Sequence, residues 1–354
     1  MAASAAPPWL LDADLAAPKY NEAVAVAAEK CAGDTKGQTC YICTEALHWK
    51  TKEGLVRMCA CRGTAGFVHV SCLAEQAKTL VAEAEENNLV DKLAERWARW
   101  HTCRLCEQGY HGVVACALGW ACWKTYVGRP ETDAIRLGAM TQLGNGLQRG
   151  KNHEDALPVY EAELSMIQRL GASEDSILVV QNNLANTYSE LGRLEEALRM
   201  RLDVYSGRLR LNGQDYRESL VAAGNVANVL IILKRFEEAR SLLRKTIPAA
   251  RRVLGECDET TLRMRWNYAE ALYRNPAATL DDLREAVTTH EETERTARRV
   301  FGCSHPLAVN LERDLRQARA ALRARESLLA QYLLYAASAL ALGAFALAQR
   351  SRRR

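Results

Sequence analysis

Leu184 opens the stretch LANTYSELGRLEEAL, and 42 residues later Val226 opens VANVLIILKRFEEAR. An earlier copy, LGNGLQRGKNHEDAL, begins at Leu143, and a shorter one, YAEALYRN, begins at Tyr268. Between copies lie the dipeptides Leu170-Gly171, Asn212-Gly213, Leu254-Gly255 and Phe301-Gly302, the first three spaced by 42 and 42. A register held through two amphipathic stretches and a turn marks stacked helix pairs, each unable to bury its apolar face alone. Small residues recur where helices must approach closely, at Ala185, Ala227 and Ala269 and again at Ala156, Ala197 and Ala239. The fourth copy carries Pro276 and extra residues before Leu280, and reads as a distorted cap.

Composition agrees with helices. Aromatic residues are 6% of the 354, so the core must be built from Ala, Leu and Val. The net charge of +4 (47 basic against 43 acidic) is too mild to mark a nucleic-acid protein, and none is expected as a partner. Met1–Tyr20 lacks a basic start followed by an apolar run, so no secretory signal is read there. Ten of the twelve cysteines lie in residues 31–122. In a reducing compartment such clustering points to metal rather than to disulfides. A collagen, a coiled-coil rod and a secreted disulfide knot are excluded.

The cysteine region reads Cys40-x2-Cys43, fifteen residues, Cys59-x-Cys61, seven residues, His69-x2-Cys72, thirty residues, Cys103-x2-Cys106. Seven thiols and one imidazole in this order make two tetrahedral, structural zinc sites. A two-residue gap lets a knuckle turn aim two thiolates at one ion, and small loops without a large core gain folding energy from the metal. Cys31, Cys116, Cys122 and His48 read as packing residues, and His101 and His111 as surface or supporting histidines.

The stretch CACRGTAGFVHVSCL, with one residue between Cys59 and Cys61 and seven before His69, resembles the RING-CH (RING-variant) finger of a ubiquitin-ligase class. A plant-homeodomain finger shares the ligand order, but usually has a shorter Cys-to-His gap and a Trp two residues before the seventh ligand. Here Trp100 lies three before Cys103. The resemblance implies interleaved pairing, Cys40, Cys43, His69 and Cys72 on one ion and Cys59, Cys61, Cys103 and Cys106 on the other. It implies docking of a ubiquitin-conjugating enzyme on Ile42 and Tyr41, with Trp100 supplying an aromatic. No side chain would be catalytic. The chain departs from the family's usual pattern at Gln76, Gly109 and Glu107. Residues 136–325 resemble tetratricopeptide repeats of the kinesin light chain type, which implies a concave groove for a substrate or partner peptide. Asn145, Asn186 and Asn228 occupy one equivalent position in three repeats, and Asn182, Ser189 and Arg149 would share that surface. A carboxamide both donates and accepts, so such a ladder suits an extended backbone.

The expected architecture is mainly α, a small cross-brace zinc finger followed by an α-solenoid. Residues 1–35 form a flexible lead-in with a short helix around 21–31, 36–112 the finger with a helical insert at 73–100, and 113–135 a connecting helix. The repeats fill 136–325, and 326–354 an apolar helix with a basic tail. Leu328–Ala348 has no charge for 21 positions, a length that could span a bilayer as a tail anchor or cap the last repeat. The expected activity is that of a ubiquitin-protein ligase, with a non-catalytic zinc-binding adaptor as the alternative. The expected setting is the cytoplasm, either free or tail-anchored to an intracellular membrane.

Overall fold

The computed structural model describes residues 7–303 and 305–352. Its described residues are helices joined mostly by short turns, apart from the non-helical stretch 36–69, with two isolated β-bridges. Contacts divide the chain into two compact units, Met1–Met200 and Arg201–Arg354, not at the expected limits of the finger and the repeats.

In the first unit the lead-in is mostly helical, over a longer span than the expected 21–31. Residues Ala13–Thr35 form a 23-residue helix, α1, capped by Asp12, whose carboxylate accepts from the Asp14 and Leu15 amides. Pro18 removes one ladder donor, but Ala16, Val24, Ala27 and Cys31 are buried along one face, and that burial holds the helix. The insert of the finger is α2 (Val70–Glu86) and α3 (Val90–Trp97). The expected connecting helix, α4 (Gly112–Tyr126), buries 11 of its 15 residues, so it is a core element on all sides. Val114, Ala115, Ala117 and Leu118 join the core of the finger with Val24, Ala27 and Val68. Trp120, Cys122 and Trp123 join a second core with Leu143, Leu147 and Tyr160 of the first repeat. Gly146 allows this crossing, because a Cβ there would lie 2.6 Å from the Ala115 carbonyl oxygen.

In the first unit α5 (Ala134–Arg149) pairs with α6 (His153–Arg169), and α7 (Glu174–Glu190) packs on α6; α8 (Leu194–Asn212) runs through the division between the units. In the second unit α9 (Arg217–Ile232) pairs with α10 (Phe236–Val253), and α11 (Glu259–Tyr273) with α12 (Leu280–Phe301). The two Ala series of the sequence are all fully buried. Gly171, Gly213 and Gly255 each turn the chain with φ between 67° and 92°, a region open to glycine at little cost. The second helix of the fourth pair, α12, begins at a capping box formed by Thr279 and Asp282.

The last helix, α13 (Pro306–Arg352), packs its beginning on α11 and α12. Leu328, Tyr332, Leu333, Leu334 and Tyr335 are exposed on it. No described helix is long and apolar enough to cross a membrane. Of the expected anchor, the side chains of 339 and 341–348 lie outside the described residues.

Two measurements follow from this packing. Gly146→Ala should lower the unfolding free energy by about 1–3 kcal/mol through overpacking against the α4 backbone. Gly33→Ala, which meets nothing within 4 Å, should raise it by about 0.5–1 kcal/mol in the same denaturant titration. In the second unit His290 is 0% exposed, its ring tilted against that of Tyr273 at 5.7 Å, and burial depresses its pKa to about 4 although Asp314 pulls it up. The unfolded chain then binds the extra proton between about pH 6.5 and 4, so stability falls as pH drops through that window. Wild type should lose about 3 kcal/mol across it relative to His290→Leu in parallel denaturant titrations.

Candidate metal centre

The finger is built on two knuckles of the same backbone form. In the first, the Thr44 amide bonds the Cys40 carbonyl at 2.8 Å and the Cys40 amide bonds the Glu45 carbonyl at 3.0 Å. In the second, the Glu107 amide bonds the Cys103 carbonyl at 2.9 Å and the Cys103 amide bonds the Gln108 carbonyl at 2.9 Å. Thr44 and Glu107 follow their last cysteines at φ 65° and 54°, a left-handed strain accepted to close each turn around its thiols. The paired bridge of Val56 with Val68 then brings the middle ligands into place, His69 directly after it and Cys59 three residues beyond Val56.

The ligand atoms gather into two groups, Cys40, Cys43, His69 and Cys72, and Cys59, Cys61, Cys103 and Cys106, each with all atoms within 4.8 Å of one another. This is the interleaved pairing that the resemblance implied. The His69 Nδ1 lies 3.3 Å from Cys43 Sγ and 3.7 Å from Cys72 Sγ, and its Nε2 lies 3.4 Å from the Ala46 carbonyl oxygen. That carbonyl accepts from Nε2 and leaves Nδ1 as the coordinating atom. Cys61 Sγ and Cys103 Sγ are 3.8 Å apart, the edge of a tetrahedron with bonds of about 2.3 Å.

Burial pushes the Cys59 and Cys72 thiols far above their ordinary range and Cys61 up to about 11, and it lowers His69. A bound dication supplies the charge that turns such thiols into thiolates, so both donor sets are compatible with zinc.

The turn between the first two ligand pairs is held by side-chain hydrogen bonds. His48 is buried with its ring 5.4 Å from that of His69, and its Nδ1 accepts from the Thr51 amide at 3.1 Å. The Glu53 carboxylate accepts from the Ser71 amide at 2.7 Å and its hydroxyl at 2.8 Å, which ties the turn to the first turn of α2. On this turn Trp49 is 67% exposed. With Ile42, Gln76, Thr79, Leu80 and Arg104 it lines a cleft of about 440 Å³ beside the first knuckle. Leu47 and Leu105 are exposed as well.

Of the expected contact residues, Ile42 faces outward while its amide points at Cys40 Sγ, 3.4 Å away. Tyr41 turns its buried hydroxyl inward, with burial raising its pKa to about 12. Trp100 must be corrected. It is 0% exposed and packs edge-on against Tyr126 at 5.8 Å, because α3 delivers it into the core under α4. Trp49 and Leu105 went unassigned in the sequence; their signal was a large apolar residue among polar loop neighbours. The Asn residues are half-buried at 145, 182 and 186, and Asn145 accepts from the Tyr160 hydroxyl at 2.9 Å, while Asn228 is exposed in the second unit. Arg149 reaches the finger instead, donating to the Tyr110 carbonyl at 3.4 Å.

Comparison with known families agrees with this geometry. Residues 40–108 match the RING-variant domain, and residues 136–207 and 219–258 match tetratricopeptide repeat families. The chain is similar to the crystal structure of BtubC (BKLC) from P. vanneervenii, at 15% identity and a TM-score of 0.45 over 73% of this chain and 87% of that one. It is also similar to a putative kinesin light chain of Podosopora anserina with nearly identical TPR-like repeats, at 19% identity and a TM-score of 0.43, covering 66% and 98%. No curated protein matches the chain. The resemblances to a RING-variant finger and to tetratricopeptide repeats therefore hold.

Glu53→Ala should cost about 1–2 kcal/mol in thermal or chemical unfolding, since it leaves the start of α2 without its anion and the Trp49 turn without its tether.

Proposed function

We propose that the finger holds two structural zinc ions and recruits a ubiquitin-conjugating enzyme, while the repeats hold the substrate or a partner peptide. The observation that carries this reading is the outward apolar surface at the first knuckle, Ile42 beside Trp49 and Leu80, within a stretch that matches the RING-variant domain. Cys40, Cys43, His69 and Cys72 would hold one ion, and Cys59, Cys61, Cys103 and Cys106 the other. Each ion would have four protein ligands and no open position, so it supplies folding energy rather than an activated water. Transfer of ubiquitin would rest on positioning, the finger orienting the charged enzyme against a lysine held by the repeats. Asn145, Asn182 and Asn186 of the first unit would clamp the peptide backbone. Thiols free of disulfides suit the reducing cytoplasm.

A second reading, a non-catalytic zinc-binding adaptor, draws support from Gln76. This polar residue lines the cleft where an apolar one would give a stronger docking surface.

Zinc analysis should give two ions per chain. In an ubiquitination assay with a panel of conjugating enzymes, chains should form with at least one. Ile42→Ala should reduce the rate about tenfold or more while zinc content stays unchanged. Zinc-loaded protein that forms chains with no member of the panel would favour the adaptor.

A further inference from the structure

The second ligand hairpin is gripped from outside the finger. Its strands close through the Tyr110 amide on the His101 carbonyl at 2.8 Å and the bridge of Thr102 with Gly109. Gln142 of the first repeat, 6% exposed, donates through Nε2 to the Trp100 carbonyl at 3.2 Å, three residues before Cys103. Arg149 donates to the Tyr110 carbonyl, four residues after Cys106. The two side chains are seven residues apart, two turns of α5, and so share one face. Between them α5 lies against the α4 backbone, where Cβ atoms at Gly146 and Gly119 would meet Ala115 oxygen at 2.6 Å and Leu143 Cα at 3.2 Å. The contact leaves no slack for the helix to slide.

Among the described residues the first ligand group shows no such bond to the repeats. Its supports, the Ala46 carbonyl on His69 and Glu53 on Ser71, belong to the finger itself.

We infer that α5 is a coupling helix: Gln142 and Arg149 set the second hairpin, so that zinc at Cys59, Cys61, Cys103 and Cys106 and the order of the first repeat stabilise each other. The inference rests on the zinc reading above. Groups that orient metal ligands from behind govern the lifetime of the ion, and by linkage the ion must favour the helix that orients them. Asn145 stands on the same helix, so metal loading at the second group also governs one end of the proposed peptide groove.

The test uses the full chain loaded with zinc, and a cobalt-loaded preparation in which an all-sulfur site and a site with one imidazole absorb differently. Release to a chromophoric chelator should be about tenfold faster from the second group in Gln142→Ala combined with Arg149→Ala, with the first group unchanged. Independently of how that variant folds, amide exchange in the wild-type chain should lose protection over 134–167 when zinc is stripped, and regain it on readdition. Unchanged release together with unchanged protection, in protein that binds two zinc ions, would overturn the coupling alone. Protein that takes up no zinc would overturn the metal reading and the coupling with it.

Discussion

Helix α4 carries apolar or small side chains around its whole circumference, so water has to be excluded from every side of it at once. No single neighbour can do that. Helix α1 covers one side, α2 and the finger loops another, and α5 of the first repeat a third. The finger and the first repeat are thereby drawn into one unit, and the chain divides near residue 200 instead of at either end of α4.

Magnitudes support this order of importance. Each of Val114, Leu118, Trp120 and Trp123 is buried, at about 1.5–3 kcal/mol for a large apolar side chain. The ion pair of Lys19 with Asp155, which also ties α1 to the first repeat, is half exposed and is worth about 0–1 kcal/mol. Apolar burial on α4 therefore decides the arrangement, and glycines at 119 and 146 let the helices approach closely enough to complete it. The polar bonds from Gln142 and Arg149 then set the fine orientation of the second hairpin.

The repeats were legible because each helix pair reuses one solution. A 42-residue register, small residues at the closest approaches and glycine at the turns are local demands that any stacked pair must meet. The ligand order was legible for a related reason. A knuckle needs two thiols two residues apart, whatever surrounds it. Residues whose meaning depends on distant partners were not legible. Trp100 sits next to a ligand in sequence, yet Tyr126 and the Gln142 bond to its carbonyl place it in the core. Arg149 follows a groove residue by one helical turn, yet its guanidinium points at the finger. Trp49 reads as one more loop residue in the sequence, yet hydrogen bonds at His48 and Glu53 fix the turn that presents it.

The sequence by itself determined the helix pairs, their period, and the identity of the eight clustered thiol and imidazole groups, because these follow from spacing along the chain. Only the tertiary structure decided that the Ala-rich start is a full helix, that the connecting helix is the centre of a core, and which aromatic residues face outward. Those outcomes depend on which faces become buried against segments far away in the chain, and neither periodicity nor ligand spacing records that.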